Sequence, residues 1–154
     1  LPAKISPHKL STPPAPPEAR IEMLEAAISG EPAFSMDTRE ITREGPSFAI
    51  DTVRAYKKEY PEASMFYLIG DDNLPALHTW REIDELQRLV QFAVLSREAG
   101  ESPAAFPTIA RRVEFSSSEI RKRVAAGASV RYMVPMPVLE ILERRGLYRG
   151  QAEP

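Results

Sequence analysis

Residues 116–121 read Ser116-Ser117-Ser118-Glu119-Ile120-Arg121, three hydroxyls and a guanidinium within two helical turns. Two chemistries fit this spacing. In the first, Ser116 is an N-cap and Glu119 the third helical residue, a capping box that satisfies backbone N–H groups reciprocally. In the second, the helix start is an anion site: its N–H groups carry partial positive charge, serine hydroxyls add donors, and Arg121 adds a bidentate phosphate clamp. The readings are compatible, since one serine can cap while another binds. Gly70-Asp71-Asp72 closes an apolar run, and Ser96-Arg97 closes another. Asp72 either caps a short helix starting at Asn73 or accepts hydrogen bonds from a nucleoside. Trp80, the only tryptophan, reads by itself as a core residue, because large aromatics are usually well buried. His8 and Lys9, beside Pro7, read by type alone as exposed loop residues.

These residues need elements to hold them. The run at 65–70 (MFYLIG) is continuous, branched and aromatic, as in a strand of a parallel sheet buried on both faces. Further strands are expected at 91–97 and 112–115, and a short one at 34–36. Helical spacing marks 18–29, where Ile21, Leu24, Ala27 and Ile28 share a face before Gly30 and Pro32. Helices are also expected at 47–59 with Ser47 as N-cap, at 80–89, at 116–127 and at 135–146, with a short one opening at 71. Pro135 and Pro137 suit a first helical turn, and Gly146 a helix end. Met23, Leu24, Ile28, Val138, Ile141 and Leu142 are expected in the core. Arg111-Arg112 and Arg144-Arg145 are expected on solvated faces, the second pair also complementing a helix C-terminus. Residues 1–17 read as a proline-rich loop, and 98–110 as the most loop-like interior stretch. Strands alternating with helices give an α/β class with a parallel sheet. Ligands in such sheets bind beyond the carboxyl ends of the strands, where Gly70, Asp72, Arg97 and the 116–121 segment fall.

Composition narrows the chemistry. The 154 residues are 43% hydrophobic and 27% charged, enough for one core. A net charge of −2 argues against a general nucleic-acid surface. The absence of cysteine excludes a disulfide scaffold, a thiolate metal site and a cysteine nucleophile in this sequence. Two histidines make a histidine-rich metal site a poor reading, and no run is apolar enough to span a bilayer. With no signal-peptide pattern at the start, a cytoplasmic protein without membrane partners is expected.

The ordered segments resemble one family. PHK at 7–9, RIEMLEAAI at 20–28 and DTREITREGPSFAIDTV at 37–53 are similar to segments of bacterial nicotinate-nucleotide adenylyltransferases. So are LIGDDNLPALHTW at 68–80, FSSSEIR at 115–121 and YMVPMPVLEILERRGLYR at 132–149. Any one of these is weak, whereas six in order are specific. The resemblance implies a Rossmann-like nucleotidyltransferase fold, and AMP transfer from ATP to nicotinate mononucleotide with Mg²⁺ accompanying ATP. It implies that Ser116, Ser118 and Arg121 hold ATP phosphates and that Gly70 and Asp72 meet the adenosine half. It further implies that Trp80 stacks on the pyridine ring, that His8 and Lys9 lie near the reacting phosphates, and that Arg97 lies near the mononucleotide. The Ser47-Phe48-Ala49 segment would lie by the pyridine substituent. The family usually has S-Y-T there, so two hydroxyls are absent and the choice between nicotinate and nicotinamide stays open. The family's G-x-F-D-P-x-H-x-G-H motif is not among these residues. The expectation is therefore a single domain over 1–154 that lacks its first βαβ unit and is catalytically incomplete as it stands. Two alternatives remain at this point: a sister adenylyltransferase for another phosphorylated acceptor such as phosphopantetheine, or a non-catalytic nucleotide-binding module. The sequence does not fix the oligomeric state.

Overall fold

Why the chain forms the elements it does is clearest around one short parallel sheet. The computed structural model describes residues 1–4, 15–96, 106–110 and 116–150. Helix α1 spans Pro17–Ile28, α2 Arg39–Thr42 and α3 Ala49–Glu59, followed by strand β1 at Phe66–Gly70. A 3-10 helix at Asp71–Thr79 leads to α4 (Ile83–Leu89), β2 (Gln91–Ser96) and β3 (Thr108–Ala110). Helices α5 (Ser117–Ala125) and α6 (Met136–Arg145) follow. The contacts gather into two units, one of residues 1–45 with 115–154 and the other of residues 46–114.

The second unit holds the sheet, ordered β1-β2-β3 and parallel throughout. Phe66 to Gly70 pair in register with Gln91 to Leu95, so both strands run out at the same edge. Ile50 and Val53 of α3 pack with Ile69, Leu77, Leu86, Val90, Phe92 and Val94 into one core. Ile50, Leu86 and Val94 are fully buried. Each contributes about 1.5–3 kcal/mol by leaving water. Strand β2 fits its continuous apolar run, with Phe92, Ala93 and Val94 all buried.

β1 departs from the expectation of burial on both faces. Ile69 is buried, but Phe66 is 65% and Leu68 53% exposed. Alternate side chains of a strand point to opposite faces. Tyr67 and Ile69 therefore meet the α3–α4 core, while no covering layer lies over Phe66 and Leu68 among the described residues. The expected strand at 34–36 does not form: the Phe34 N–H instead donates to the Glu31 carbonyl at 3.0 Å, and Phe34 is exposed. The expected loop at 98–110 instead contributes β3 at its end, where the Val94 N–H donates to the Pro107 carbonyl at 2.8 Å. Most of that stretch, and the expected strand at 112–115, lie outside the described residues, as do Arg111 and Arg112.

The first unit has its own core of Val130, Val138 and Leu142, with Met23, Ala26, Ile120 and Val124 packed against it. Ile141 is also buried, as expected. Leu24 is 40% exposed and leaves the expected core, because α1 turns only a narrow face inward, with Ala19 its one buried residue. Arg144 and Arg145 are not merely solvated: both guanidiniums pair with Glu22 of α1, Arg145 Nε at 2.5 Å. Gly146 closes α6 at φ +60°, and the Leu147 N–H reaches back to the Leu142 carbonyl at 3.1 Å. A left-handed residue after the helix lets the chain reverse there with its last carbonyls satisfied.

Candidate active site

β1 ends in Gly70 and turns at once into the 3-10 helix. Gly70 sits at φ −75°, ψ 154°, ordinary extended geometry, so the need for glycine is steric. A Cβ there would lie 2.3 Å from Asp72 Oδ1. Asp72 is exposed at the strand end, and its Oδ1 accepts from Asn73 Nδ2 at 3.1 Å. Asn73 Nδ2 also donates to the Gly70 carbonyl at 3.4 Å. The capping reading of Asp72 fails: the 3-10 helix begins at Asp71 with Gly70 before it, and no side chain caps it. The Asp72 carboxylate keeps acceptor capacity at the edge where parallel sheets take ligands. Its neighbour Asp71 is structural, since its Oδ2 accepts from Ser96 Oγ at 3.2 Å and ties the ends of β1 and β2 together. Arg97, the next residue, lies outside the described residues.

Ser47, Phe48, Ala49 and Trp80 belong to the same unit, and the last three pack against its core. Ser47 is not the N-cap of α3. Phe48 takes that place at φ −93°, ψ 131°, and no side chain caps the helix. Its ring is held by the core below and by the Arg81 guanidinium, 4.9 Å from the ring centroid. Trp80 is half-buried and meets Tyr67 edge-on at 5.8 Å and Phe92 at 6.4 Å. The core reading of Trp80 and the platform reading are thus compatible, because the indole is only partly covered.

An ion-pair clamp that the sequence reading missed holds this region. Arg54 of α3 donates to Glu82 at 2.5 Å and to Glu85 at 2.9 and 2.5 Å. Glu82 is left-handed at φ +54°, which is strained for a side-chain-bearing residue and stops α4 from running back to Trp80 as expected. The clamp fixes that kink, and with it the loop carrying Trp80 and Arg81. Its carboxylates hold the Arg54 guanidinium above its ordinary pKa, and Arg54 holds the Glu85 carboxyl below the usual range. The i to i+31 spacing of Arg54 and Glu85 gives no sequence signal.

The remaining expected residues belong to the other unit. Ser116 is the N-cap of α5, and its Oγ accepts from the Glu119 N–H at 3.1 Å. The Glu119 carboxylate lies 4.0 Å from Arg123 Nε, one turn on. Ser118 Oγ accepts from Arg121 Nη2 at 3.0 Å, which brings these two together at the exposed first turn. The capping reading holds for Ser116, while Ser118 and the half-buried Arg121 form a hydroxyl–guanidinium pair. Tyr148 stands near this arginine, and Arg20 stands near Tyr148. Tyr148, half-buried at φ +61°, has its phenol raised above the usual range by burial, against the lowering effect of the Arg121 and Arg20 charges. Arg20 donates to the carbonyls of Ala15 at 3.1 Å, Ala3 at 2.6 Å and Lys4 at 3.5 Å, joining the described chain on either side of residues 5–14. His8 and Lys9 lie outside the described residues. Among the described residues, no group of three or more carboxylate or histidine side chains could hold a metal ion. No described helix is long and apolar enough to cross a membrane.

Comparison with known proteins identifies the family and the fold. The family model for cytidylyltransferase-like proteins matches residues 1–123. A probable nicotinate-nucleotide adenylyltransferase of Geobacillus thermodenitrificans is 39% identical over 96% of this chain and 70% of its own length. One of Exiguobacterium sibiricum is also 39% identical, over 96% of this chain and 80% of the relative. The nicotinate-nucleotide adenylyltransferase of Bacillus subtilis is 35% identical over 97% and 81%. Among solved structures, Plasmodium falciparum nicotinic acid mononucleotide adenylyltransferase complexed with NaAD superposes with a TM-score of 0.70 at 16% identity, covering 94% of this chain and 78% of that one. At that identity the likeness speaks for the fold, a Rossmann-like nucleotidyltransferase.

Proposed function

This chain belongs to the nicotinate-nucleotide adenylyltransferase family, and we propose that it transfers AMP from ATP to nicotinate mononucleotide, giving deamido-NAD and pyrophosphate. The observation that carries the reading is the 39% identity to an adenylyltransferase relative along 96% of the chain. In the reaction a 5′-phosphate oxygen of the mononucleotide attacks the α-phosphorus of ATP. A new P–O bond forms, the bond from the α-phosphorus to the bridging oxygen breaks, and pyrophosphate leaves with that electron pair. No covalent enzyme intermediate is required, so the protein's work is to position both phosphates and stabilise the charge that develops between them.

The residue roles are proposed on the same footing. Arg121 and Ser118, already paired at the first turn of α5, supply a guanidinium fork and a hydroxyl for the ATP phosphates. Ser116 holds the helix start in shape through its cap, which keeps the N–H groups of that turn aimed outward. Asp72 accepts from the adenosine half, with Gly70 leaving room for its carboxylate. Phe48, with Ser47 and Ala49, and Trp80 take the pyridine ring. Arg97 is proposed to lie by the mononucleotide, and His8 and Lys9 by the reacting phosphates. The divalent ion is proposed to be Mg²⁺ arriving on ATP, as part of the nucleotide substrate. Such an ion is ligated chiefly by phosphate oxygens and water. Residues 1–154 are proposed to serve as one nucleotidyltransferase domain in the cytoplasm.

Arg121→Ala in the complete gene product tests the phosphate role. Loss of a charge-assisted bond that strengthens in the transition state should lower kcat/KM for ATP by about 100-fold, with the fold retained. An unchanged kcat/KM would remove Arg121 from the site.

A further inference from the structure

At the end of α5 away from Ser116, the first unit opens into a cavity of about 800 Å³. Its floor is aliphatic: Val124 of α5, Val130 of the following loop, and Leu139 and Leu142 of α6. Val130 and Leu142 are buried members of the unit's core, so the floor is fixed by packing. The loop that walls it carries little bulk, since Gly127 and Ala128 stand where larger side chains would fill the space, and a Cβ at Gly127 would meet nothing within 4 Å. Two arginines, Arg131 and Arg149, stand at the rim against one acid, Glu143. Both arginines are exposed, and neither makes an ion pair among the described residues. Arg131 is steadied instead by Tyr132, whose ring centroid lies 5.6 Å from the guanidinium. Tyr132 is itself 88% exposed at φ +72°, a left-handed conformation uncommon for an aromatic residue. Strained non-glycine backbone tends to collect at ligand-binding positions.

The lining is mixed, aliphatic at Val124, Val130, Leu139 and Leu142 and polar at Ser129, Arg131, Glu143 and Arg149, and small-molecule sites combine apolar walls with a few placed polar groups. The excess of unpaired guanidinium at the mouth sets the ligand's charge. We infer that this cavity binds a small organic monoanion, a carboxylate on a compact aromatic or aliphatic body, with the body on the Val124–Leu139–Leu142 floor and the carboxylate between Arg131 and Arg149. None of these residues takes part in the proposed transfer reaction, although α5 runs from the Ser118–Arg121 pair to the cavity wall and Tyr148, next to Arg149, lies near Arg121.

The probe is 2-naphthoate, titrated against the complete gene product and followed by its fluorescence and by the methyl NMR signals of Val124, Val130, Leu139 and Leu142. Saturable one-site binding that moves these signals is expected, with 2-naphthol binding about tenfold more weakly for want of the charge-assisted bonds. Ala128→Trp, an exposed change that fills the cavity, should abolish binding while leaving adenylyl transfer as it was. Arg131→Gln with Arg149→Gln should weaken binding about tenfold or more. The inference is overturned by an absence of saturable binding, by binding that survives Ala128→Trp, or by binding that ATP displaces competitively, which would place the probe at the nucleotide site.

Discussion

Replacing Gly70 by alanine separates the two jobs a glycine can have at a strand end. The backbone at φ −75°, ψ 154° suits alanine. The smaller entropy of the unfolded chain would then stabilise the protein by about 0.4–1 kcal/mol. The new Cβ, however, would lie 2.3 Å from Asp72 Oδ1. The carboxylate must retreat by about 1 Å to reach ordinary contact, breaking the 3.1 Å bond from Asn73 Nδ2. That bond is worth about 0.5–1.5 kcal/mol, so the two effects nearly cancel. Thermal unfolding of Gly70→Ala should therefore shift by no more than a few degrees. Activity should not be spared. If Asp72 accepts from the adenosine half, displacing it by about 1 Å forfeits much of a charge-assisted bond, and kcat/KM for ATP should fall about tenfold. The KM for nicotinate mononucleotide should hold, and Asp72→Asn should reproduce the defect without the steric change. Unaltered ATP kinetics in a folded Gly70→Ala protein would refute the reasoning, because the structure leaves Asp72 no way to keep its position.

Other expectations follow from the same geometry. Leu86→Ala removes a fully buried side chain from the core beneath the sheet and should cost about 2–5 kcal/mol in urea unfolding. Arg54 holds the Glu85 carboxyl below the usual range, so this pair stabilises the fold above the ordinary glutamate pKa and loses that contribution as pH falls through the depressed one. Glu85→Gln should accordingly flatten the acid side of the stability–pH profile at low salt and change little at high salt. Trp80→Ala should raise the KM for the mononucleotide about tenfold through lost stacking, with Trp80→Phe intermediate. A fall in thermal stability with no change in KM would reduce Trp80 to a core residue.

The elements that were legible in the sequence are those whose signal is local. The apolar runs at β1 and β2, the amphipathic faces of α3 and α6, the serine cap of α5 and the glycine after α6 all lie where pattern and turn chemistry place them. What sequence could not carry is long-range. Burial of β1 on one face only depends on what covers the sheet, which a run of apolar letters cannot state. The late starts of α3 and α4 come from the packing of Phe48 and from Glu82 held left-handed by Arg54, a partner 28 residues away. The position of the Asp72 carboxylate was visible only as a type at a strand end. Its dependence on Gly70 is a close contact that exists only in the folded chain.

The most direct test of the account is product formation by the complete gene product supplied with ATP, Mg²⁺ and either nicotinate mononucleotide or nicotinamide mononucleotide. The account predicts deamido-NAD and pyrophosphate in equal amounts from the nicotinate acceptor, at a higher kcat/KM than any NAD formed from the nicotinamide one. A folded protein that releases no dinucleotide from the nicotinate acceptor would contradict it.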